Sequence, residues 1–218
     1  KLKNAEFEAK LNAISRVQAV IEFTPNGEVL FANPNFCDTL GYRLEEIKGQ
    51  HHRLFVDPAY ANSNEYREFW MTLNRGEYMA AEYKRFGKGG KEVWIQASYN
   101  PVFDLNGKVM KVVKFATDIT GRVRAVNDVG AALAGLAEND LAQRITGPFS
   151  PEFEKLRADF NAALDQLQQT MRDIMQGTQV IQSGASEVAT AAEDLARRTE
   201  QQAASLEETA AAVEEITS

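Results

Sequence analysis

NGEVLFANPNFCDTLGY (Asn26–Tyr42) decides how the first half of the chain folds. Asn26-Gly27 is a turn pair, and Glu28–Ala32 after it has the composition of a short strand. Asn33-Pro34 ends that strand, since proline has no N–H for a ladder. Asn35–Leu40 then reads as a short helix, stopped by Gly41-Tyr42. Upstream, Val17–Phe23 is the partner strand of a hairpin closed by Thr24-Pro25-Asn26-Gly27. Before it, residues 1–16 place Leu2, Phe7, Leu11 and Ile14 among charged residues, as an amphipathic helix does.

Downstream come further short helices, Leu44–Lys48 and His51–Val56, split by Gly49, and then a longer one, Asn62–Asn74. Three strands follow: Glu77–Phe86, Lys91–Phe103 and Lys108–Thr117, separated by Gly87-Lys88-Gly89-Gly90 and Asn106-Gly107. In the middle one Val93, Ile95, Ala97 and Tyr99 alternate with Trp94, Gln96, Ser98 and Asn100, so one face is apolar. Two strands, several helices and three strands is an α+β order. It predicts a five-stranded antiparallel sheet with flanking short helices on one face and a pocket between them.

This order and its local motifs resemble a PAS domain over about residues 12–120, with the domain proper at 17–120. The matching stretches are Asn26–Tyr42, FGKGGKEVWIQASYNPVFD (Phe86–Asp104) and the closing Asp118-Ile119-Thr120. The resemblance implies a sensor of a ligand, a gas or redox state. It also implies that Asp118 and Thr120 link the last strand to an outgoing signalling helix. Plain N-capping of that helix by the same residues is compatible with such a relay.

From Gly121 the texture changes. Val126, Val129, Leu133 and Leu136 form one helical stripe, and Phe153, Leu156, Phe160, Leu164, Leu167 and Met171 another. LAENDLAQRI (Leu136–Ile145) and PEFEKLRADFNAALDQL (Pro151–Leu167) resemble a HAMP domain, assigned to residues 121–172. The resemblance implies an all-α, parallel four-helix bundle built by two chains. Two departures stand out: no proline opens the first helix, and Asn139 occupies the place of a frequent glycine.

Residues 173–218 continue without a break. Ile174, Thr178, Ile181, Ala185, Val188, Ala192 and Leu195 alternate spacings of four and three, the seam of a long coiled-coil helix. Glu200-Gln201, Glu207-Glu208 and Glu214-Glu215 recur every seven residues among small side chains. RTEQQAASLEETAAAVEEITS (Arg198–Ser218) resembles the first methylation helix of methyl-accepting chemotaxis receptors, here truncated. By that resemblance Gln201, Glu208 and Glu215 are candidate methylation or deamidation sites, where neutralising a carboxylate would tighten helix packing. An ordinary solvated acidic face is the alternative for such a charge run.

The two histidines are adjacent, and neighbouring helical residues point about 100° apart, so at most one faces inward. GQHHRLFV (Gly49–Val56) resembles the flavin-binding LOV stretch, with His52 at the place of its reactive cysteine, so LOV photochemistry lacks its nucleophile. A neutral imidazole in an apolar pocket suits haem iron. The resemblance to haem-binding PAS receptors therefore makes His52, ahead of His51, the candidate ligand of a b-type haem. Flavin adenine dinucleotide is the alternative cofactor, with Trp70 and Asn33 where Aer-type receptors have such residues, and an empty or small-ligand pocket is the third. Trp94 would touch a cofactor only if it faced inward.

Composition narrows the rest. The formal charge of −7 and the lack of a basic cluster argue against nucleic-acid binding. Residues 179–218 hold eight carboxylates against Arg197 and Arg198. A single cysteine, Cys37, fits a reducing compartment and so a cytoplasmic location, with an upstream membrane anchor left open. No paired nucleophile and base, metal-ligand spacing or P-loop points to an enzyme. A sensor histidine kinase, the alternative, would show a phosphoacceptor histidine in its output helix, and none follows His52. The expectation is a homodimeric chemotaxis transducer, grouped into receptor arrays in the full protein. It would be adapted by a receptor methyltransferase and methylesterase, and would act on a histidine kinase and coupling protein through a tip beyond this sequence.

Overall fold

The computed structural model describes residues 2–217, with the side chains of 2–5, 7, 8 and 214–217 outside the described set. Helix α1 (Leu2–Val17) runs one residue past its predicted end, and Val17 is exposed rather than in a strand. Strands β1 (Ala19–Phe23) and β2 (Val29–Ala32) form the hairpin. Gly27, at φ +86°, makes its turn, where a Cβ would lie 2.9 Å from Trp70 and 3.0 Å from His51.

Four short helices follow: α2 (Pro34–Leu40), α3 (Leu44–Ile47), α4 (Pro58–Ala61) and α5 (Asn64–Asn74), with a 3-10 turn at His52–Phe55. The predicted helix Asn62–Asn74 begins two residues later, at Asn64, and the short α4 stands before it. Asp57 caps α4 through its bonds to the Ala59 and Tyr60 N–H groups, and Ser63 caps α5 by accepting from Tyr66 N. Pro58 sits in the first turn of α4, where its missing N–H costs nothing. Strands β3 (Met79–Phe86), β4 (Glu92–Phe103) and β5 (Val109–Asp118) complete a sheet of order β2-β1-β5-β4-β3, antiparallel throughout. Gly87 lets the β3–β4 turn press on the end of α2, where a Cβ would fall 2.3 Å from the Leu40 carbonyl oxygen.

One sheet face is covered by α2–α5. Ile21, Phe23, Val93, Ile95, Tyr99 and Val112 meet Phe36, Leu40, Ile47, Phe55, Phe69 and Leu73 there, all buried. Each apolar side chain so buried contributes about 1.5–3 kcal/mol. This is the five-stranded α+β architecture that the alternation predicted.

The chain divides into two compact units, 1–131 with 147–157, and 132–146 with 158–218. Helix α6 (Thr120–Ala137) follows β5, and α7 (Pro151–Thr217) is a single helix of 67 residues. In the first unit, Ser150 lies against Gly121, and Phe149 N donates to Glu154. In the second, Gln143 reaches the Ala132 carbonyl at 2.6 Å, and Ile145 and Asn161 exchange two backbone–side-chain hydrogen bonds at 3.0 Å. Arg144 pairs with Asp165 at 2.6 Å. Asn139, after α6, takes φ +67°, a conformation that asparagine shares with glycine, which accounts for its presence at that position.

Candidate functional site

The 3-10 turn aims His52 into the core and leaves His51 at its start, where His51 Nδ1 accepts from Arg53 N at 3.1 Å. His52 is completely buried. Its Nδ1 meets the Tyr66 hydroxyl at 2.9 Å and its Nε2 the Tyr99 hydroxyl at 3.0 Å. Tyr99 also accepts from Arg85 Nη2 at 3.1 Å. The proton assignment that uses every group has Tyr99 donating to Nε2 and Nδ1–H donating to Tyr66. Burial first, then the charges of Arg85 and Lys114, hold His52 well below the ordinary histidine pKa, so it is neutral.

Rings close around this histidine: Phe69 and Tyr66 stacked at 6.0 and 5.7 Å, Phe23, Trp70 and Tyr99 edge-on at 5.2, 5.5 and 5.6 Å. Haem ligation needs an open nitrogen lone pair and a slot for the porphyrin. His52 has neither, because both nitrogens hold tyrosine hydroxyls and its ring faces are packed. The expectation of a haem iron ligand at His52 is therefore corrected: the residues present do not fit haem there. His51 lies at the rim, against Trp70, in a surface cleft shared with Asn26, Arg53, Tyr66 and Asn74.

The other candidates are placed as follows. Asn33 is buried and committed to backbone: its Oδ1 accepts from Val20 N and Phe36 N, while its Nδ2 donates to Ser15 O and Gln18 O. It ties α1, β1 and α2 together. Trp70 packs between Phe23, His51, His52 and Phe69. Trp94 alternates with buried Val93 and Ile95, so it does not face the helix-covered interior; it is half-buried, beside Tyr83 and Arg85 in a surface cleft. Cys37 is a free, half-buried thiol packed on the core.

Two residues that sequence reasoning passed over share the interior face with His52. Arg85 and Lys114 are 3% and 1% exposed. Lys114 Nζ sits 5.0 Å from the Tyr99 ring centre and 5.6 Å from that of Phe36, and Arg85 lies over the Tyr83 ring at 4.6 Å. Their strand positions carried the signal: Lys114 alternates in phase with Val112 and Ala116, and Arg85 with Tyr83. Among the described residues no group of three or more His, Cys, Asp or Glu side chains could hold a metal ion.

At the exit of the domain, Asp118 and Thr120 form a strap. Thr120 N donates to Asp118 Oδ1 at 2.8 Å, and Thr120 Oγ1 accepts from Trp94 N at 3.0 Å. Ile119 N donates to Trp94 O at 2.8 Å, and Arg122 pairs with Glu82 at 2.6 Å. The first turn of α6 is thereby bonded to β3 and β4 as well as continuing β5. On α7, Gln201 and Glu208 are exposed. Glu215 lies outside the described side chains.

A helix-covered antiparallel sheet of this strand order, feeding a helix from its last strand, defines a PAS-type sensory domain. Residues 29–116 match the PAS fold family, and that part of the chain is a PAS domain. The chain is 47% identical over 119 residues to the biofilm dispersion protein BdlA of Pseudomonas aeruginosa, covering 55% of this chain and 28% of BdlA. It is 28% identical over 106 residues to the aerotaxis receptor of Escherichia coli (48% of this chain, 21% of that protein). A 53-residue stretch is 50% identical to chemoreceptor McpA of Caulobacter vibrioides, covering 24% of this chain and 8% of McpA. The chain is a PAS-containing relative of chemotaxis receptors and spans less than a third of the length of these relatives. No helix among the described residues is long and apolar enough to cross a membrane.

Proposed function

We infer that the chain is the sensory and transmitting part of a chemotaxis receptor. It acts without chemistry of its own: the PAS domain takes up a stimulus, residues 121–172 work as a HAMP domain, and a methylatable coiled coil begins at residue 173. In the whole protein that coiled coil governs a histidine kinase through a coupling protein. The working unit is a homodimer joined through α6 and α7. A change in the PAS interior moves β5 and the Asp118–Thr120 strap, and the helices shift between two packings. A receptor methyltransferase and methylesterase reset that balance at Gln201, Glu208 and Glu215, each step worth about 1–3 kcal/mol.

The observation that carries this reading is the unshared apolar stripe of α7. Ile181, Val188 and Leu195, one heptad apart, are 74%, 70% and 63% exposed in the single chain. A helix of 67 residues with such a stripe needs partner helices to bury it. The interlocked connector contacts at Gln143, Arg144 and Ile145 supply the compact linker that a parallel helix pair requires.

Sedimentation of the chain is expected to give a dimer that Ile181→Asn dissociates. A monomer at high concentration overturns the reading. Incubation with a chemotaxis-receptor methyltransferase and labelled S-adenosylmethionine is expected to label Glu208, and labelling that persists in Glu208→Gln and Glu215→Gln together would refute the site assignment.

A further inference from the structure

The PAS interior holds two basic side chains and, among the described residues, no acid paired with them. Arg85 and Lys114 are buried on the helix-covered face of the sheet, yet no carboxylate pairs with either one among the described residues. Arg85 spends Nη1 on the Lys84 carbonyl and Nη2 on the Tyr99 hydroxyl. Its Nε and the Tyr83 hydroxyl are buried without a hydrogen-bond partner. Lys114 Nζ lies over the rings of Phe36 and Tyr99. Burying an unpaired charge is among the costliest things a fold can do. A core that wanted stability alone would carry leucine or methionine at these positions.

A surface cleft of about 500 Å³ reaches the Arg85 end of this cluster, with Tyr60, Tyr83, Arg85 and Trp94 among its walls, while Lys114 and Tyr99 lie inside and do not line it. Asp57 and Glu82 also line it, but both are engaged: Asp57 caps α4, and Glu82 pairs with Arg122. Lys84 at the rim is likewise held by Glu92. Arg85 and Lys114 are thus the basic groups here without a carboxylate partner, and both contact Tyr99.

We propose that the PAS interior of this protein is a receptor site for a small dicarboxylate, one carboxylate bound by Arg85 and the Tyr83 hydroxyl and the other by Lys114. This rests on the sensory reading above and names the chemistry of the stimulus. An arginine with a free Nε edge presents the fork geometry that carboxylates prefer. A dianion matches the two charges, and ligand entry would move the Tyr99 hydroxyl and with it His52. Without ligand, burial and Arg85 hold Lys114 well below the ordinary lysine pKa. Binding an anion raises that pKa and favours the charged lysine.

Malonate, succinate and glutarate titrated calorimetrically into the whole chain test this, with succinamide as the uncharged control. At least one of the three acids is expected to bind with a measurable heat, while succinamide gives no heat. Arg85→Gln and Lys114→Met are each expected to weaken binding by about tenfold to a hundredfold. Lys114→Met is also expected to raise the melting temperature of the ligand-free chain. Binding of none of the acids at millimolar concentration overturns the proposal, as does equal binding of succinamide or unchanged affinity in both variants. A lowered melting point for Lys114→Met counts against it too, since it would make the lysine a structural group. Sedimentation of the same samples separates the two readings. A chain that dimerises but binds no acid defeats this inference alone, and one that binds but stays monomeric defeats the receptor assembly alone.

Discussion

The PAS interior and the long helix α7 spend their apolar residues in opposite ways. Around His52 five aromatic rings approach within 6.0 Å of the imidazole centre and no side of it is left to water. Along α7, Ile174, Ile181, Val188, Leu195 and Leu206 all stand more than half exposed. The first region completes its own core within one chain, and the second leaves its apolar stripe uncovered. Apolar residues thus specify a finished domain in one place and an unshared stripe in the other.

The sharpest way to break this contrast is to cut the core. Phe23→Ala removes a fully buried ring beside His52 and Trp70 and is expected to cost about 3–5 kcal/mol in urea unfolding of the PAS transition. An equivalent loss on truncating Ile181 would erase the distinction. His52→Phe comes next. It strands the Tyr66 hydroxyl, at about 1–3 kcal/mol, and leaves Tyr99 only its bond from Arg85. It also changes the pH profile. The folded pKa of His52 lies below the 6.5 of a free histidine, so as pH falls through 6.5 the unfolded chain gains a proton that the folded one refuses. Stability present above that pH is lost below it, and the slope between pH 6.5 and the lower folded pKa is expected to shrink in His52→Phe. The smallest effect is expected on α7. Glu208→Gln removes one exposed charge and is expected to tighten the dimer by no more than about 1 kcal/mol, read from the dissociation constant.

Much of the fold was legible because each strand has a period and each turn a residue that permits it. Val93, Ile95, Ala97 and Tyr99 alternate inward as their spacing required, and Gly27 and Gly87 stand where the backbone leaves no room for a Cβ. The short α4 at 58–61 and the start of α5 at Asn64 were missed because two caps, Asp57 and Ser63, lie close together. The site was harder to foresee. Spacing could say that only one of His51 and His52 points inward, but it could not say that two tyrosines, one 14 and the other 47 residues away, would occupy both its nitrogens. Nor does a lysine in a strand announce itself as buried. Lys111 and Lys114 differ by three positions and so fall on opposite faces, one paired with Glu22 near the surface and the other enclosed by rings.

The strap at Thr120 turns α6 into a lever with its fulcrum on the sheet. Held at its first residue by a β4 backbone amide, a helix of 18 residues is about 27 Å long. A tilt of about 5° at that root would carry the far end about 2 Å, comparable to the small helix displacements that switch packed assemblies. On the two-packing reading, a movement in the sheet too slight to disturb its hydrogen bonds would be magnified into a sideways swing, with the clamp's stiffness setting the gain.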